Sequence, residues 1–432
     1  MSGEQLVSDT KAQARAEFRK HWTLILAASI AFSFTSVMTS ASGLFIQPLG
    51  DEFGWSRALL ASGTSIAAVT TFFLSPLFGL FIDRIGTRRL ALPGLAMMMC
   101  TVAALSLLDG TPMQWFILWT IYAFAALATK STVWTAAVAS TFDAGRGLAL
   151  GLTLSGSAIA QTITPPLTNY LIEEHGWRSA FVWLGFGWGG LAILLCVFFL
   201  FDGYDISRKS RAAAPAGAAK NAPLLDQPGL TPREALRSPE LWRIAISTFV
   251  IMIITIALVV HQFPILTESG IDRQTAAIYA GFAGFCGILG KLVTGWLLDR
   301  YPARWAGGGT LALTSVTFIL LLIPGRTIPM VVAAMLVNGY AAGTKLQIAG
   351  YLTSAYGGMR NFGLIFGTMA SLIAAGSGLG PVIAGWIYDV YGGYGPYLWM
   401  GLIGTLVSSV LIFGLGDYPD WNKREDPALA PS

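Results

Sequence analysis

Charge is scarce in this sequence. Asp, Glu, Lys and Arg make up 12% of its 432 residues, against 54% hydrophobic, about half the charged share of a soluble globular chain. Water is therefore not its main solvent. Cysteine is scarce too: Cys100, Cys196 and Cys286 all lie within apolar runs, which argues against a disulfide framework or a cysteine metal site and for packing. The histidines, His21, His175 and His261, are scattered, and no nucleophile-and-base pairing, metal-ligand cluster or phosphate-cradling glycine loop accompanies them. The sequence reads as a non-enzyme without cofactor or metal. Its net charge of +4 is not gathered on one amphipathic surface, so nucleic acid is not an expected partner.

Long apolar runs are what the chain has in place of charge. Each is about 20 residues, enough for a helix to cross a hydrocarbon core of about 30 Å. Spans are expected at residues 22–48, 57–82, 90–108, 114–139, 147–172 and 179–202, then at 241–266, 274–298, 306–323, 329–354, 362–387 and 395–416. The first begins at Trp22 and runs on without the small-residue cleavage site of a signal peptide, so it reads as a permanent span. Lys and Arg fall on the side that holds the N-terminal tail (1–21), the long connection (203–240) and the C-terminal tail (417–432). The exceptions are Arg57, Arg178, Arg273, Arg326 and three lysines within spans. This bias puts both termini in the cytoplasm.

The connection 203–240 is rich in Ala and Pro from Arg211 to Pro223 and reads as a cytoplasmic linker. At its distal end Thr231, Pro232, Arg233 and Glu234 have the pattern of a helix start: Thr as N-cap, Pro in the first turn and Glu three after the cap. Linker and tail are too short for the output domain that a membrane sensor needs. Repetition is the strongest organisational signal. Gly79, Asp83, Arg84 and Arg88 reappear 216 residues later as Gly295, Asp299, Arg300 and Arg304, and Lys130 with Lys345, Arg146 with Arg360, Pro165 with Pro381 and Trp183 with Trp399 keep nearly that offset. An even number of spans per repeat makes the halves parallel. The expected fold is an all-α membrane protein of twelve transmembrane helices in two six-helix bundles, 22–202 and 241–416, acting as a monomer in the lipid bilayer.

GLFIDRIGTRR (Gly79 to Arg89) resembles the loop between spans two and three of the major facilitator superfamily, and GWLLDRYPAR (Gly295 to Arg304) resembles its second-half copy. FGWSRA (Phe53 to Ala58), RGLALG (Arg146 to Gly151), GWRSAF (Gly176 to Phe181) and VVHQFPILTESGI (Val259 to Ile271) are similar to bacterial relatives of the monocarboxylate transporters and the oxalate:formate antiporter. The resemblance implies the major facilitator fold, with spans one, four, seven and ten lining a cavity and three, six, nine and twelve facing lipid. It also implies that Gly79, Asp83, Arg84, Arg88, Gly295, Asp299, Arg300 and Arg304, with Arg146 and Arg360, form cytoplasmic gating motifs. The alternative reading of the basic residues is that they only enforce topology. Each Asp, at a cytoplasmic helix end, can pair with a basic residue of its own loop or cap a neighbouring helix.

Ionised residues near the bilayer centre cost about 2.5–3.5 kcal/mol each on insertion scales, so each is a functional hypothesis. All 23 carboxylates fall in tails, loops or helix ends, whereas Lys130, Lys291 and Lys345 lie well inside spans four, eight and ten. Cations without buried carboxylates nearby need anionic compensation, and a substrate carboxylate supplies it. The competing readings are snorkelling for Lys291 and cytoplasmic-end packing for Lys130 and Lys345. By resemblance Lys291 stands where both relatives carry a carboxylate-associated arginine. The antiporter's second lysine corresponds to Met369, and the animal carriers' span-one lysine to Ser40, which speaks against oxalate and against lactate transport by the animal mechanism. Trp134, Tyr340 and Tyr351 are candidates to shape the cavity around an aromatic acid, or else plain packing aromatics. His261 with Gln262 is the candidate for proton coupling, or an outer-gate hydrogen bonder. The expected activity is proton-coupled transport of a small organic anion across a bacterial inner membrane. Anion exchange and export of drugs or metabolites are the alternatives.

Overall fold

The computed structural model describes residues 3–212, 228–271 and 273–419. The core of the linker and most of the C-terminal tail lie outside these residues. The described chain is helical, its one pairing of extended segments being an isolated bridge between Gly229 and Gly358. Among the described residues nine helical stretches are long and apolar enough to cross a membrane, and one of them, Arg146–Ser207, runs for 62 residues. The chain divides into two compact units. Unit 1 is Met1–Gly145, Leu152–Gln227 and Phe362–Ala370; unit 2 is Arg146–Gly151, Pro228–Asn361 and Ser371–Ser432.

Unit 1 opens with α1 (Gly3–Ala41), α2 (Ile46–Phe53), α3 (Arg57–Ile85) and α4 (Thr87–Ala104). The turn between α3 and α4 needs Gly86, whose φ of 85° is open only to a residue without a Cβ. The fourth expected span, 114–139, lies within one apolar stretch, Pro112–Ala139, but the helix is interrupted inside it. α5 (Pro112–Leu127) stops, Lys130 is extended, and α6 (Ser131–Ala139) starts afresh. The reason is a diverted carbonyl. In a continuous helix the Thr129 carbonyl would accept from Val133, but here it accepts from the Thr35 hydroxyl at 2.9 Å and the Trp134 indole N–H at 2.7 Å. The Val133 amide turns instead to the Lys130 carbonyl, at 3.0 Å.

α7 (Arg146–Leu154) and α8 (Gly156–Val182) follow, the latter broken at Gly176 with φ 77°. That break sits where the sequence separates its fifth and sixth spans, and the residues after it fasten the turn. Trp177 and Arg178 both donate to Glu52, with Arg178 reaching both carboxylate oxygens at 2.7 and 3.1 Å. A π-helical segment, Trp183–Gly189, leads into α9 (Gly190–Phe199), and α10 (Gly203–Ala212) completes the unit's own run of helices.

Besides the first part of α7, Arg146–Gly151, unit 2 contains α11 (Pro232–Arg237), whose start carries the anticipated capping box. The Glu234 amide donates to the Thr231 hydroxyl and the Thr231 amide to the Glu234 carboxylate. α12 (Pro239–Glu268), α13 (Arg273–Leu298), α14 (Ala303–Leu322), α15 (Ile328–Gly357), α16 (Phe362–Tyr391) and α17 (Gly395–Phe413) complete the chain. α13 and α15 approach backbone to backbone through small residues: a Cβ on Gly339 would overlap the Ala283 carbonyl, and one on Gly343 the Gly287 carbonyl. Such close packing replaces the hydrophobic drive that lipid does not supply between helices. Substituting Gly343→Val forces the pair apart and is expected to cost about 1–3 kcal/mol, read as a lower melting temperature in detergent. Gly309→Ala, where no atom lies within 4 Å of the new Cβ, leaves the melting temperature unchanged or slightly raised.

Candidate functional site

In unit 2 the intramembrane lysines lie on the tightly packed helix pair. Lys291 on α13 is 8% exposed and Lys345 on α15 is 3% exposed. Their sequence neighbours Gly290 and Thr344 meet across the helix contact. Lys345 Nζ has no hydrogen-bond partner among the described residues. Seven residues earlier on α15, two helical turns away on the same face, Asn338 is buried with its side-chain oxygen also unpartnered. Tyr340 is half-buried and its hydroxyl lies 3.3 Å from the Thr294 hydroxyl, while Tyr351 is half-buried further along α15.

Unit 1 holds Lys130 at the helix break, half-buried and occupying the N-cap position of α6. The first amides of a helix have no intrahelical acceptor, so a cation and the positive end of a helix dipole coincide there. On the next turn Thr132 and Thr135 are buried with unpartnered hydroxyls. Trp134 is fully buried, and its indole N–H is committed to the carbonyl that makes the break. It shapes the backbone around Lys130.

The repeated Asp residues are built as helix caps. In unit 1 Asp83 accepts from the amides of Gly363 and Leu364 at 2.8 and 2.9 Å. In unit 2 Asp299 accepts from the amides of Gly147 and Leu148 at 2.6 and 2.8 Å. A carboxylate on the first amides of a helix satisfies orphan donors and complements the dipole. Gly79 and Gly295, one turn before each Asp, let the backbones meet: a Cβ on Gly79 would overlap the Gly363 carbonyl, and one on Gly295 would lie 2.6 Å from the Gly147 carbonyl. Gln347 adds a donor to that same Gly147 carbonyl at 2.7 Å.

The basic residues of the motifs have separate partners. Arg88 donates to the carbonyls of Val197 and Leu200 at 2.6 and 3.4 Å, Arg304 pairs with Asp417 at 3.0 Å, and Arg300 lies over the Trp296 ring. Arg146 reaches the Ser354 hydroxyl at 3.4 Å, and Arg84 and Arg360 are exposed. His261 sits between the Tyr394 hydroxyl, 2.9 Å from Nδ1, and the Pro381 carbonyl, 3.1 Å from Nε2. A carbonyl only accepts, so Nε2 carries a proton, and in a neutral His261 Nδ1 accepts a hydrogen bond from the Tyr394 hydroxyl. Gln262 beside it is half-buried. Asn338 and Gln347 escaped the sequence reading although a carboxamide in the middle of an apolar run is itself a signal. Thr132 and Thr135 escaped it because the break that puts them in the first turns of a new helix depends on Thr35, far away in sequence. Among the described residues no cluster of His, Cys, Asp or Glu is arranged to hold a metal.

Removing one cap frees only its own amides. Asp299→Ala is expected to raise hydrogen exchange at Gly147 and Leu148 by about fivefold or more, the exchange equivalent of about 1 kcal/mol of lost capping, and to leave Gly363 and Leu364 unchanged. Asp83→Ala gives the reverse pattern, read by mass spectrometry of exchanged peptides.

Comparison with known proteins agrees with this architecture. The model of the Major Facilitator Superfamily matches residues 26–290 and 262–431. The chain is 23% identical to monocarboxylate transporter 12-B of Danio rerio over 431 residues, covering 91% of this chain and 86% of that protein. It is 25% identical to monocarboxylate transporter 12 of Mus musculus but spans only 61% of that protein's length. It is 25% identical to the oxalate:formate antiporter of Oxalobacter formigenes, with 84% of this chain and 86% of the antiporter covered. Among solved structures, a proton:xylose symporter superposes with a TM-score of 0.68 over 92% of this chain and 96% of its own, at 11% identity, a likeness of fold alone. With the family model covering nearly the whole chain, this multi-pass membrane protein belongs to the Major Facilitator Superfamily and is a transporter, not an enzyme.

Proposed function

We propose that the protein is a secondary active transporter that carries a small organic anion, a monocarboxylate, across the bacterial inner membrane together with protons by alternating access. The observation that carries this reading is Lys345, whose side-chain amine is buried to 3% exposure and lacks a hydrogen-bond partner among the described residues. A buried unpaired charge costs several kcal/mol, and a substrate carboxylate offsets that cost whenever it binds. Lys291 on the neighbouring helix and Asn338 on the same face supply further donors and orientation. Lys130 is the corresponding group of unit 1, where the start of α6 adds amide donors, an arrangement that carriers use for substrate carboxylates at interrupted helices. Tyr340 and Tyr351 give α15 an aromatic lining suited to an aromatic acid. The similarity to monocarboxylate transporters and to an oxalate:formate antiporter supports the same cargo class.

Twelve spans with both termini cytoplasmic remain our reading of the topology. It is supported by the 62-residue stretch Arg146–Ser207, long enough for two crossings of about 20 residues each, and by the long helices α13 and α15. In the alternating-access cycle we assign Asp83 and Asp299 to the latch, each releasing a helix start in one conformation and capping it in another. His261 is the proposed proton carrier, since its bonds to Tyr394 and Pro381 can be kept in both protonation states by a turn of the tyrosine hydroxyl. Exchange of one anion for another is the second reading, favoured by the placement of the carboxylates in tails, loops or helix ends.

Counterflow of labelled aliphatic and aromatic monocarboxylates into proteoliposomes tests the cargo. Lys345→Ala is expected to lower it at least tenfold and Lys345→Arg to retain part of it; accumulation of labelled cationic drugs with no carboxylate counterflow would contradict the reading. An inward proton gradient is expected to accelerate net uptake in the wild type. His261→Gln removes that acceleration and preserves counterflow, whereas uptake indifferent to the gradient in the wild type moves the mechanism to exchange.

A further inference from the structure

Unit 1 has an open cavity of about 660 Å³ lined by Arg88, Arg89, Leu92 and Pro93 on α4 and by Phe201, Asp205 and Lys209 at and within α10. Of its lining only Arg88 belongs to the repeated cytoplasmic motif, and the other residues have no part in transport as described above. Its walls are tied together. The Thr87 hydroxyl at the start of α4 donates to Asp202, and Asp202 also accepts from the Asp205 amide at 3.1 Å, capping α10. One carboxylate thus holds the starts of two helices side by side.

The cavity combines cations with carbon. Arg88 is fixed over the Phe201 ring at 3.8 Å by its bonds to the Val197 and Leu200 carbonyls, and the Lys209 ammonium lies 4.9 Å from the same ring. Arg89 beside them is exposed. Three cations face one carboxylate, Asp205, and the remaining lining is apolar. Away from the cavity the surface stays apolar: Met97 on α4 and Leu194, Val197 and Phe198 on α9 are exposed, on helices that a bilayer surrounds. A basic cavity that opens onto lipid-facing carbon matches a molecule with an anionic head and a hydrocarbon tail. The end of the unit with this cavity is the end that the charge bias assigns to the cytoplasm, where anionic lipid is available.

We propose that this cavity binds the phosphate headgroup of an anionic phospholipid, with Arg89 and Lys209 as the principal phosphate donors, Arg88 and Phe201 as the fixed wall, and acyl chains along Met97, Leu194 and Phe198. The ligand chemistry is a phosphodiester, which free phosphate shares in part; the apolar continuation selects the lipid. A basic residue near an anionic membrane surface contributes enough that losing two weakens binding by about tenfold to thirtyfold.

Native mass spectrometry of the delipidated full-length protein, titrated with phosphatidylglycerol, cardiolipin, phosphatidylcholine or inorganic phosphate, tests this. Wild type is expected to hold phosphatidylglycerol or cardiolipin in preference to phosphatidylcholine, and Arg89→Gln with Lys209→Gln to lose that preference by about tenfold or more. Arg233→Gln with Arg237→Gln, an equal charge loss on the linker side of unit 2, is expected to keep it, as is the charge-preserving pair Arg89→Lys with Lys209→Arg. The single Gln variants give the same reading if the double variant does not fold. Equal lipid retention by wild type and the Arg89/Lys209 Gln variants overturns the proposal. So does equal binding of phosphatidylcholine, or displacement of the lipid by millimolar inorganic phosphate, which would make this a site for the free anion.

Discussion

A lysine amine held away from water needs an acceptor if it is to carry its charge, and in a chain whose carboxylates all fall in tails, loops or helix ends that acceptor has to come from elsewhere. Lys345 states the problem most sharply: it is buried, it has no partner among the described residues, and it stands on a helix packed against its neighbour through glycines that leave no room for rearrangement. The reading of this protein as an anion carrier depends on that electrostatic imbalance. A cationic interior waiting for a negative guest is a means of selecting cargo by charge, and it explains why the lysines survive at positions where each costs about 2.5–3.5 kcal/mol.

The same sign logic operates at the helix starts, with the roles reversed. Asp83 and Asp299 are carboxylates set on the amides that open α16 and α7, so the protein itself supplies the negative partner to a positive helix end. At α6 the start has Lys130 as its N-cap and, among the described residues, threonine hydroxyls without a partner and no side-chain cap. One kind of helix terminus is capped from within, and the other is the proposed place for substrate. A shared physical feature, the orphan amides of a first turn, serves both structure and binding.

Much of this was legible in the sequence because it follows from local pattern. The apolar runs, the capping box at Thr231 and the recurrence of Asp83 as Asp299 need nothing beyond spacing and residue type. The caps themselves were half legible: Arg146 with Arg360 marks the approximate repeat, but the donors are Gly147 with Leu148 and Gly363 with Leu364, which keep the 216-residue offset of the aspartates. The break at Lys130 was not legible. It arises because Thr35 and Trp134 take the Thr129 carbonyl, and a hydrogen bond spanning 94 residues leaves no local trace. The amide-rich start of α6 and the roles of Thr132 and Thr135 were hidden for the same reason.

The central claim is that a bound carboxylate completes the environment of Lys345. Its most direct measurement is the change in melting temperature of the purified transporter across a panel of mono- and dicarboxylates, compared between wild type and Lys345→Ala. Stabilisation of the wild type by at least one monocarboxylate, absent in the variant while the variant remains folded, is the predicted result. Stabilisation only by organic cations, or an equal carboxylate response in both proteins, would contradict it.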